Sequence, residues 1–255
     1  MSQRNIPERT AARIALFCVA QVAVFAIAAV SQTAPAASKP HAGYFVDPST
    51  LHLATLLAAP PALGSPVEVD ELALLHLIES TRTPAQSAAA KADDAEQDIF
   101  SFRNVLGPNV KPEQLPLTTA LSAHVHGEEG AASDALKSLF ARPRPYQLDK
   151  SLHPICKVTD APNSYPSGHT LSGYLLAFTL AEMLPEKKID ILARADEYAH
   201  NRLVCGVHYP SDLEASRLAA YAVFGLMMSS PRFLQDLDAA RTELRARLGA
   251  EFALK

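Results

Sequence analysis

Apolar residues recur at helical spacing along most of the chain, and signals for β-strands are weak throughout. The segment Val67 to Ser80 places Leu72, Leu75 and Ile78 about one helical turn apart, which predicts an amphipathic helix. Pro84 to Phe102 is predicted to be a second helix, because it begins with proline at a favoured first-turn position and continues through strong helix formers. The first part of the folded chain is therefore expected to be helical.

The middle of the chain is predicted to hold two more helices, from Leu115 to Val125 and from Ser133 to Ala141. Gly127 and Gly130 lie between them and favour a break, since glycine is a poor helix former. The stretch Tyr146 to Tyr165 is polar, contains two prolines and shows no sustained period. A loop is expected there.

The second half of the chain carries the strongest helical signals. Gly168 to Leu184 is apolar enough for a buried helix, and Glu186 to Arg202 continues with a helical pattern. Ser211-x-x-Glu214 has the form of a capping box, and Pro231 begins an amphipathic C-terminal helix. The whole pattern predicts an all-α, single-domain helical bundle.

The first 36 residues differ in composition from the rest. Arg4, Arg9 and Arg13 precede an uncharged apolar run from Ile14 to Val30, and Ala34-Pro35-Ala36 offers the small residues of a cleavage site. This order predicts a signal peptide over residues 1–36 and one domain over residues 37–255. An uncleaved anchor is the alternative, because 17 apolar residues are near the lower limit for a membrane span.

Cleavage after residue 36 would leave a mildly acidic protein. It removes three of the 23 basic residues and one of the 27 acidic residues, so the formal charge becomes −6. Nucleic acid is excluded as an expected partner, since no basic stripe is available to neutralise its phosphates. Homo-oligomerisation is left open.

The cysteines support the same view of an exported protein. Cleavage would remove Cys18 and leave Cys156 and Cys205, and an even pair in an exported chain indicates a disulfide. Two buried free thiols are the alternative. A zinc site is disfavoured, because two isolated cysteines lack the clustered ligand spacing that zinc requires.

Three short clusters of cations, histidines and one carboxylate follow in the second half of the chain. Such groups suit phosphoryl transfer without a metal, because charge stabilisation and positioning supply most of the catalysis. The clusters are Lys137-x6-Arg144-Pro145, Pro166-Ser167-Gly168-His169 and Arg202-x5-His208-x3-Asp212.

These clusters match the three-part signature of the phosphatidic acid phosphatase type 2 and vanadium haloperoxidase superfamily. The chain further resembles the soluble bacterial class A non-specific acid phosphatases from about Tyr44 to the C-terminus, on three stretches. These are Ala92 to Phe100, Asn163 to Thr170 and Ser211 to Ala215. The resemblance implies an all-α fold of that superfamily and a catalytic domain over residues 37–255.

We assign the catalytic roles to three residues. A neutral, aimed imidazole can attack phosphorus, which makes His208 the expected nucleophile. Asp212, four residues later, would accept the Nδ1 proton and leave Nε2 free. His169 would donate a proton to the leaving group, and the resemblance implies an acid optimum at which His169 is protonated and His208 neutral in the free enzyme.

The remaining residues of the signature are expected to bind the phosphoryl oxygens. Lys137, Arg144 and Arg202 supply charge and directed hydrogen bonds, and Ser167 and Gly168 supply a turn before a helix N-terminus, which suits an anion. The cations would take the role that Mg²⁺ has elsewhere. No cofactor and no metal are expected, and the sequence has no EF-hand or Walker A pattern.

Some residues depart from the family or have no assigned role. Asn201 stands where many relatives have serine. Arg142 could face the pocket, but it is taken by default to be structural or facing solvent. The segment His124 to Glu129 does not resemble the usual family residues. It is interpreted either as a determinant of substrate access or as a solvated loop.

The resulting hypothesis is an exported, periplasmic or secreted acid phosphatase of broad specificity. It would act on phosphomonoesters without a metal, release inorganic phosphate and have no stable membrane insertion after cleavage. Vanadate-dependent haloperoxidase chemistry is one alternative, because the same residues can bind vanadate. A membrane-associated lipid phosphatase is another, although the apolar segments after the leader, such as Leu171 to Leu184, are short for a membrane span.

Overall fold

The computed structural model describes residues 42–107 and 110–249, which belong to one compact unit. Within these ranges the chain is helical and forms no β-strand. The α-helices are α1 (Leu53–Leu56), α2 (Pro66–Thr81), α3 (Pro84–Ala95), α4 (Arg103–Leu106), α5 (Pro116–Phe140), α6 (Pro145–Leu148), α7 (Gly168–Met183), α8 (Lys188–Val204), α9 (Pro210–Met227) and α10 (Pro231–Leu248). Short 3₁₀ helices span Pro48–Leu51, Ile99–Phe102, Pro112–Gln114 and Pro185–Lys187. The predicted all-α class is confirmed, and the predicted signal peptide lies outside the described residues.

Helix α7 forms the centre of the bundle. Nearly all of its residues are buried, on every side of the helix, and it packs against α5, α8, α9 and α10. A helix that is apolar all round must be enclosed by other elements. Because α7 begins directly after Ser167, this packing fixes the position of the Ser167-Gly168-His169 turn at one end of the bundle. None of the helices within the described ranges is both long and apolar enough to cross a membrane.

Helix α5 is one continuous helix, so the predicted break at Gly127 and Gly130 is wrong. Each glycine costs about 1 kcal/mol relative to alanine in a helix interior. Leu121, Val125 and Leu136 are at most 4% exposed, and burying one such side chain stabilises the fold by roughly 1.5–3 kcal/mol. Packing on both sides of the glycines therefore outweighs their low helix propensity.

Helix α3 is shorter than predicted and ends at Ala95, not at Phe102. The Asp98 side chain accepts a hydrogen bond from the Phe100 N–H at 2.8 Å, and the Ile99 N–H donates to Ser122 Oγ at 2.9 Å. These bonds hold a buried 3₁₀ turn whose side chains enter the core. Local capping and burial thus redirect a segment that has good helix propensity.

The start of α9 also differs from the prediction. The helix begins at Pro210, and Tyr209 N–H donates to Asp212 Oδ2 at 3.0 Å. The predicted Ser211–Glu214 capping box is therefore wrong. Asp212, a predicted site residue, also closes the first turn of this helix.

Other helices lie close to their predicted positions. Helices α2 and α7 begin and end within one residue of the predicted bounds, and α8 within two. Helix α10 begins at Pro231 as expected and buries Phe233, Leu237 and Leu244. The predicted loop between α5 and α7 is confirmed apart from the single-turn helix α6.

Candidate active site

The sequence-predicted site residues meet at one end of the bundle. They come from the end of α5, the loop after it, the start of α7, the end of α8 and the start of α9. The C-terminal end of α3 adds a carboxylate to the same group. Residues far apart in sequence thus form one partly enclosed cluster.

His208 is buried, with 1% of its surface exposed, and both ring nitrogens are engaged. Nδ1 lies 3.1 Å from Asp212 Oδ2, and Nε2 lies 3.1 Å from an Arg144 guanidinium nitrogen. A guanidinium can only donate, so Nε2 is the acceptor and Nδ1 carries the proton that is donated to Asp212. The Nε2 lone pair therefore points toward the cations.

The environment of His208 favours its neutral form. Burial lowers the pKa of His208 well below its usual 6.5, and the positive charges of Arg144 and Arg202 lower it further. A neutral imidazole has the lone pair that nucleophilic attack requires.

Asp212 is completely buried and accepts several hydrogen bonds. Arg142 donates to Oδ1 at 2.7 Å, while the Ser164 hydroxyl at 2.5 Å, the Tyr209 N–H at 3.0 Å and His208 share Oδ2. Burial raises the pKa of Asp212 to about 6, against the lowering effect of Arg142. The hydrogen bonds from Arg142, Ser164 and Tyr209 fix Asp212 in place as the acceptor that orients the histidine ring.

Arg142 is a buried structural residue and does not face solvent. Its guanidinium bridges Asp212 to Glu71 of α2 at 2.8 Å and stacks on the Tyr209 ring, 3.8 Å from the ring centroid. Glu71 also accepts the Ser211 N–H at 2.7 Å. Arg142 binds Oδ1 of Asp212, whereas His208 contacts Oδ2, so Arg142 fixes the carboxylate without competing for the same oxygen.

His169 is held by Asp94, a site residue that the sequence analysis did not identify. The ring Nε2–H donates to the Asp94 carbonyl at 3.3 Å and lies 3.7 Å from its carboxylate, which binds Arg202 at 2.6 Å. The acidic stretch at the end of α3 was the sequence signal that could have pointed to Asp94. Only the packing of α3 on α8 shows that Asp94 pairs with Arg202.

The charge state of His169 in the unliganded site differs from the expectation. Burial lowers its pKa to about 3, helped by Arg202, and the carbonyl and carboxylate of Asp94 oppose this only in part. His169 is therefore neutral in the free enzyme at mildly acid pH, and the expectation of a protonated free form is wrong. A bound anion would favour the protonated form.

The three predicted cations have different partners. Lys137 Nζ binds Glu129 at 2.9 Å. The Arg144 guanidinium donates to Asn163 Oδ1 and to the Val207 carbonyl, each at 3.0 Å. Neutral acceptors thus hold Arg144 near His208 without cancelling its charge.

The Ser167-Gly168 turn fits closely against this cluster. A Cβ at Gly168 would lie 2.2 Å from a Glu129 carboxylate oxygen and 2.9 Å from Lys137 Nζ, so a side chain there would collide. Ser167 caps α7 by accepting the Thr170 N–H at 3.4 Å. Its own N–H donates to the Asp212 carbonyl at 3.4 Å, which ties the turn to the start of α9.

Cys156 and Cys205 form the disulfide that the sequence indicated. It joins the loop before α7 to the end of α8, and Cys205 Sγ lies 3.8 Å from an Arg202 nitrogen. Asp94 lies within 4.8 Å of both sulfurs. The sulfurs are bonded to each other, so this group is not a metal-ligand set.

The segment His124 to Glu129 belongs to α5 and is not a loop. His126 Nδ1 lies 2.8 Å from Ser172 Oγ. Glu128 is fully buried and accepts the Phe45 N–H at 2.7 Å. Glu128 therefore anchors the N-terminal part of the described chain, while the adjacent Glu129 binds Lys137.

Comparison with known proteins identifies the family of this chain. Residues 115–236, which include every signature residue, match the PAP2 superfamily. An acid phosphatase from Zymomonas mobilis is 30% identical over 204 residues, which is 76% of each chain. This chain belongs to the PAP2 superfamily. Within that superfamily it is a bacterial acid phosphatase of the class A type, and thus a phosphoric monoester hydrolase.

Two further sequence relatives, both non-specific acid phosphatases, support this placement. The non-specific acid phosphatase of Providencia stuartii is 29% identical over 241 residues, covering 90% of this chain and 96% of the relative. That of Salmonella typhimurium is 32% identical over 166 residues, covering 62% and 66%. A transmembrane PAP2 type phosphatidylglycerolphosphate phosphatase from Bacillus subtilis has a TM-score of 0.45 at 18% identity, covering 72% of this chain and 94% of its own.

Proposed function

We propose that this phosphatase is exported and hydrolyses a broad range of phosphomonoesters through a phosphohistidine at His208, without a metal. The observation that carries the proposal is the arrangement of the His208 ring. Its Nδ1–H is held by Asp212 and its Nε2 lone pair faces Arg144 at 3.1 Å. This is the orientation that a histidine nucleophile requires.

The proposed reaction has two steps. In the first, Nε2 of His208 attacks phosphorus, the ester P–O bond breaks, and the leaving oxygen takes a proton from protonated His169. In the second, neutral His169 accepts a proton from water as the water oxygen attacks phosphorus. The P–N bond then breaks, and its electron pair returns to His208 Nε2. Inorganic phosphate leaves, and both histidines regain their starting states.

Lys137, Arg144 and Arg202 support a metal-independent reaction. Their side chains converge on the region in front of His208, where their positive charges act on its ring. Guanidinium and ammonium groups can stabilise the equatorial oxygens of the phosphoryl group in the transition state.

We therefore expect phosphomonoester hydrolysis to continue in excess chelator, with vanadate and inorganic phosphate as competitive inhibitors. The assay would use aryl and alkyl phosphomonoesters, a phosphodiester, and bromide with vanadate. Loss of hydrolysis on chelation, with recovery on adding Mg²⁺ or Zn²⁺, would contradict the metal-independent mechanism. Bromide oxidation without phosphomonoester hydrolysis would favour the haloperoxidase alternative.

Export to the periplasm or the medium is supported by the leader pattern in residues 1–36 and by the Cys156–Cys205 disulfide, since disulfides persist in oxidising compartments. We expect the mature protein, a catalytic domain over residues 37–255, to begin near Ala37 and to show no titratable thiol until it is reduced. N-terminal sequencing and a thiol count on denatured protein test this. An uncleaved N-terminus together with two reactive thiols would contradict export.

A further inference from the structure

Glu129 places a carboxylate inside the candidate phosphate site. Its Oε1 lies 2.9 Å from Lys137 Nζ and 2.6 Å from the Ser133 hydroxyl, and only 17% of the side chain is exposed. The same oxygen lies 2.2 Å from the position of a Cβ at Gly168, so the carboxylate sits against the turn that begins α7. None of the roles assigned above uses this residue.

The net charge of the site follows from its ion pairs. Two of the three cations already hold a carboxylate, because Lys137 binds Glu129 at 2.9 Å and Arg202 binds Asp94 at 2.6 Å. Arg144 is hydrogen-bonded to uncharged groups. These five side chains carry a net charge of one positive unit, which matches a singly charged anion better than a doubly charged one.

We propose that Glu129 is a specificity-determining residue that makes this site favour the singly charged form of a phosphomonoester and disfavour the doubly charged form. The carboxylate competes with the substrate for the Lys137 ammonium group and repels the second negative charge. The inference rests on the proposed assignment of Lys137 to phosphate binding.

The groups around Glu129 keep it ionised while the substrate titrates. Burial tends to raise the pKa of Glu129, but Lys137, Ser133 and His126 lower it below its usual value. His169 faces it from α7 and is the other titratable neighbour. The second pKa of a phosphate ester is about 6, so the substrate, not Glu129, changes charge between mildly acid and neutral pH.

Calorimetric titration with inorganic phosphate tests the proposal through a double-mutant cycle of Glu129→Gln and Lys137→Met. Glutamine keeps the size of the side chain and removes its charge. We expect Glu129→Gln to tighten phosphate binding about tenfold near pH 7.5, where the doubly charged form dominates, and about threefold near pH 5. Coulomb energy scales with the ligand charge, so the logarithm of the gain should double. In the Lys137→Met background, the part of the gain that comes from competition for the ammonium group should disappear, and only the part that comes from direct repulsion should remain.

Two control variants, Glu113→Gln and Lys137→Met, distinguish a failure of this proposal from a failure of the assigned phosphate site. Glu113→Gln, an exposed carboxylate between α4 and α5, removes the same charge far from the cluster and should leave phosphate binding unchanged. The proposal would be overturned if Lys137→Met weakened phosphate binding but Glu129→Gln bound phosphate no more tightly than wild type at both pH values. If Lys137→Met also left binding unchanged, the assigned phosphate site itself would be wrong.

Discussion

Replacement of His208 by alanine is expected to abolish hydrolysis of every phosphomonoester, with a loss in kcat on the order of 10⁴-fold or more. The imidazole is 1% exposed, its Nδ1 is fixed by Asp212, and its Nε2 faces Arg144. Removing the nucleophile removes the covalent route for good and poor leaving groups alike. Steady-state assays on an aryl and an alkyl phosphate would measure the loss.

The matched control is His200→Ala. His200 is an exposed histidine of α8, so this variant should keep the wild-type rate. Binding of inorganic phosphate to His208→Ala should persist, because the three cations remain in place. A His208→Ala enzyme that retained more than about a tenth of the wild-type kcat would contradict the assignment of the nucleophile.

Replacement of His169 by alanine is expected to discriminate between leaving groups. A general acid contributes about 10²–10⁴-fold when the leaving oxygen needs a proton, so alkyl phosphates should lose that much in kcat. An activated aryl phosphate should lose far less, because its phenolate leaves without protonation. Steady-state rates for a series of leaving groups would give a steeper dependence on leaving-group pKa in the variant.

The pH dependence provides a second test of His169. In the unliganded site its pKa is lowered to about 3, and a bound anion should raise it because negative charge favours the protonated ring. The wild-type kcat for an alkyl phosphate should therefore fall as pH rises through this raised value. His169→Ala should lack that decrease. Equal losses for both classes of leaving group, with an unchanged pH profile, would contradict the role of general acid.

Much of the site was predictable because its chemistry is concentrated in short motifs. Lys137, Arg144, His169, Arg202 and His208 all reach the same cluster, as their spacing in the family signature implies. The buried helix α7 was also predictable, because a helix that is apolar on every side is stable only in the interior of a globular protein. Local sequence therefore specified the residues that gather in this cluster.

Residues that hold the signature side chains in place could not be identified from sequence motifs. Asp94 holds both His169 and Arg202, and Glu129 holds Lys137, but each partner is distant in sequence or hidden within a helix predicted to be broken. Asp94 gains its role only when α3 packs on α8, and Glu129 reaches Lys137 only because α5 is continuous. Helix propensity carries no information about either contact.

The errors in secondary structure have the same origin. Gly127 and Gly130 lie within α5 because buried neighbours on both sides stabilise the helix, and α3 stops at Ala95 because Asp98 caps a buried turn. In each place tertiary packing outweighed an intrinsic preference of about 1 kcal/mol or less. Helix starts marked by proline, such as Pro84 of α3 and Pro231 of α10, were predicted correctly.

The most direct test of the account is a rapid-quench experiment with ³²P-labelled aryl phosphate, followed by mapping of the labelled peptide. A phosphoenzyme intermediate on His208 predicts a burst of acid-labile, alkali-stable label on the peptide that contains His208. The label should be present in wild type and in His169→Ala, and absent in His208→Ala. Label trapped on His208→Ala, or located on another residue of the wild-type enzyme, would contradict the proposed mechanism.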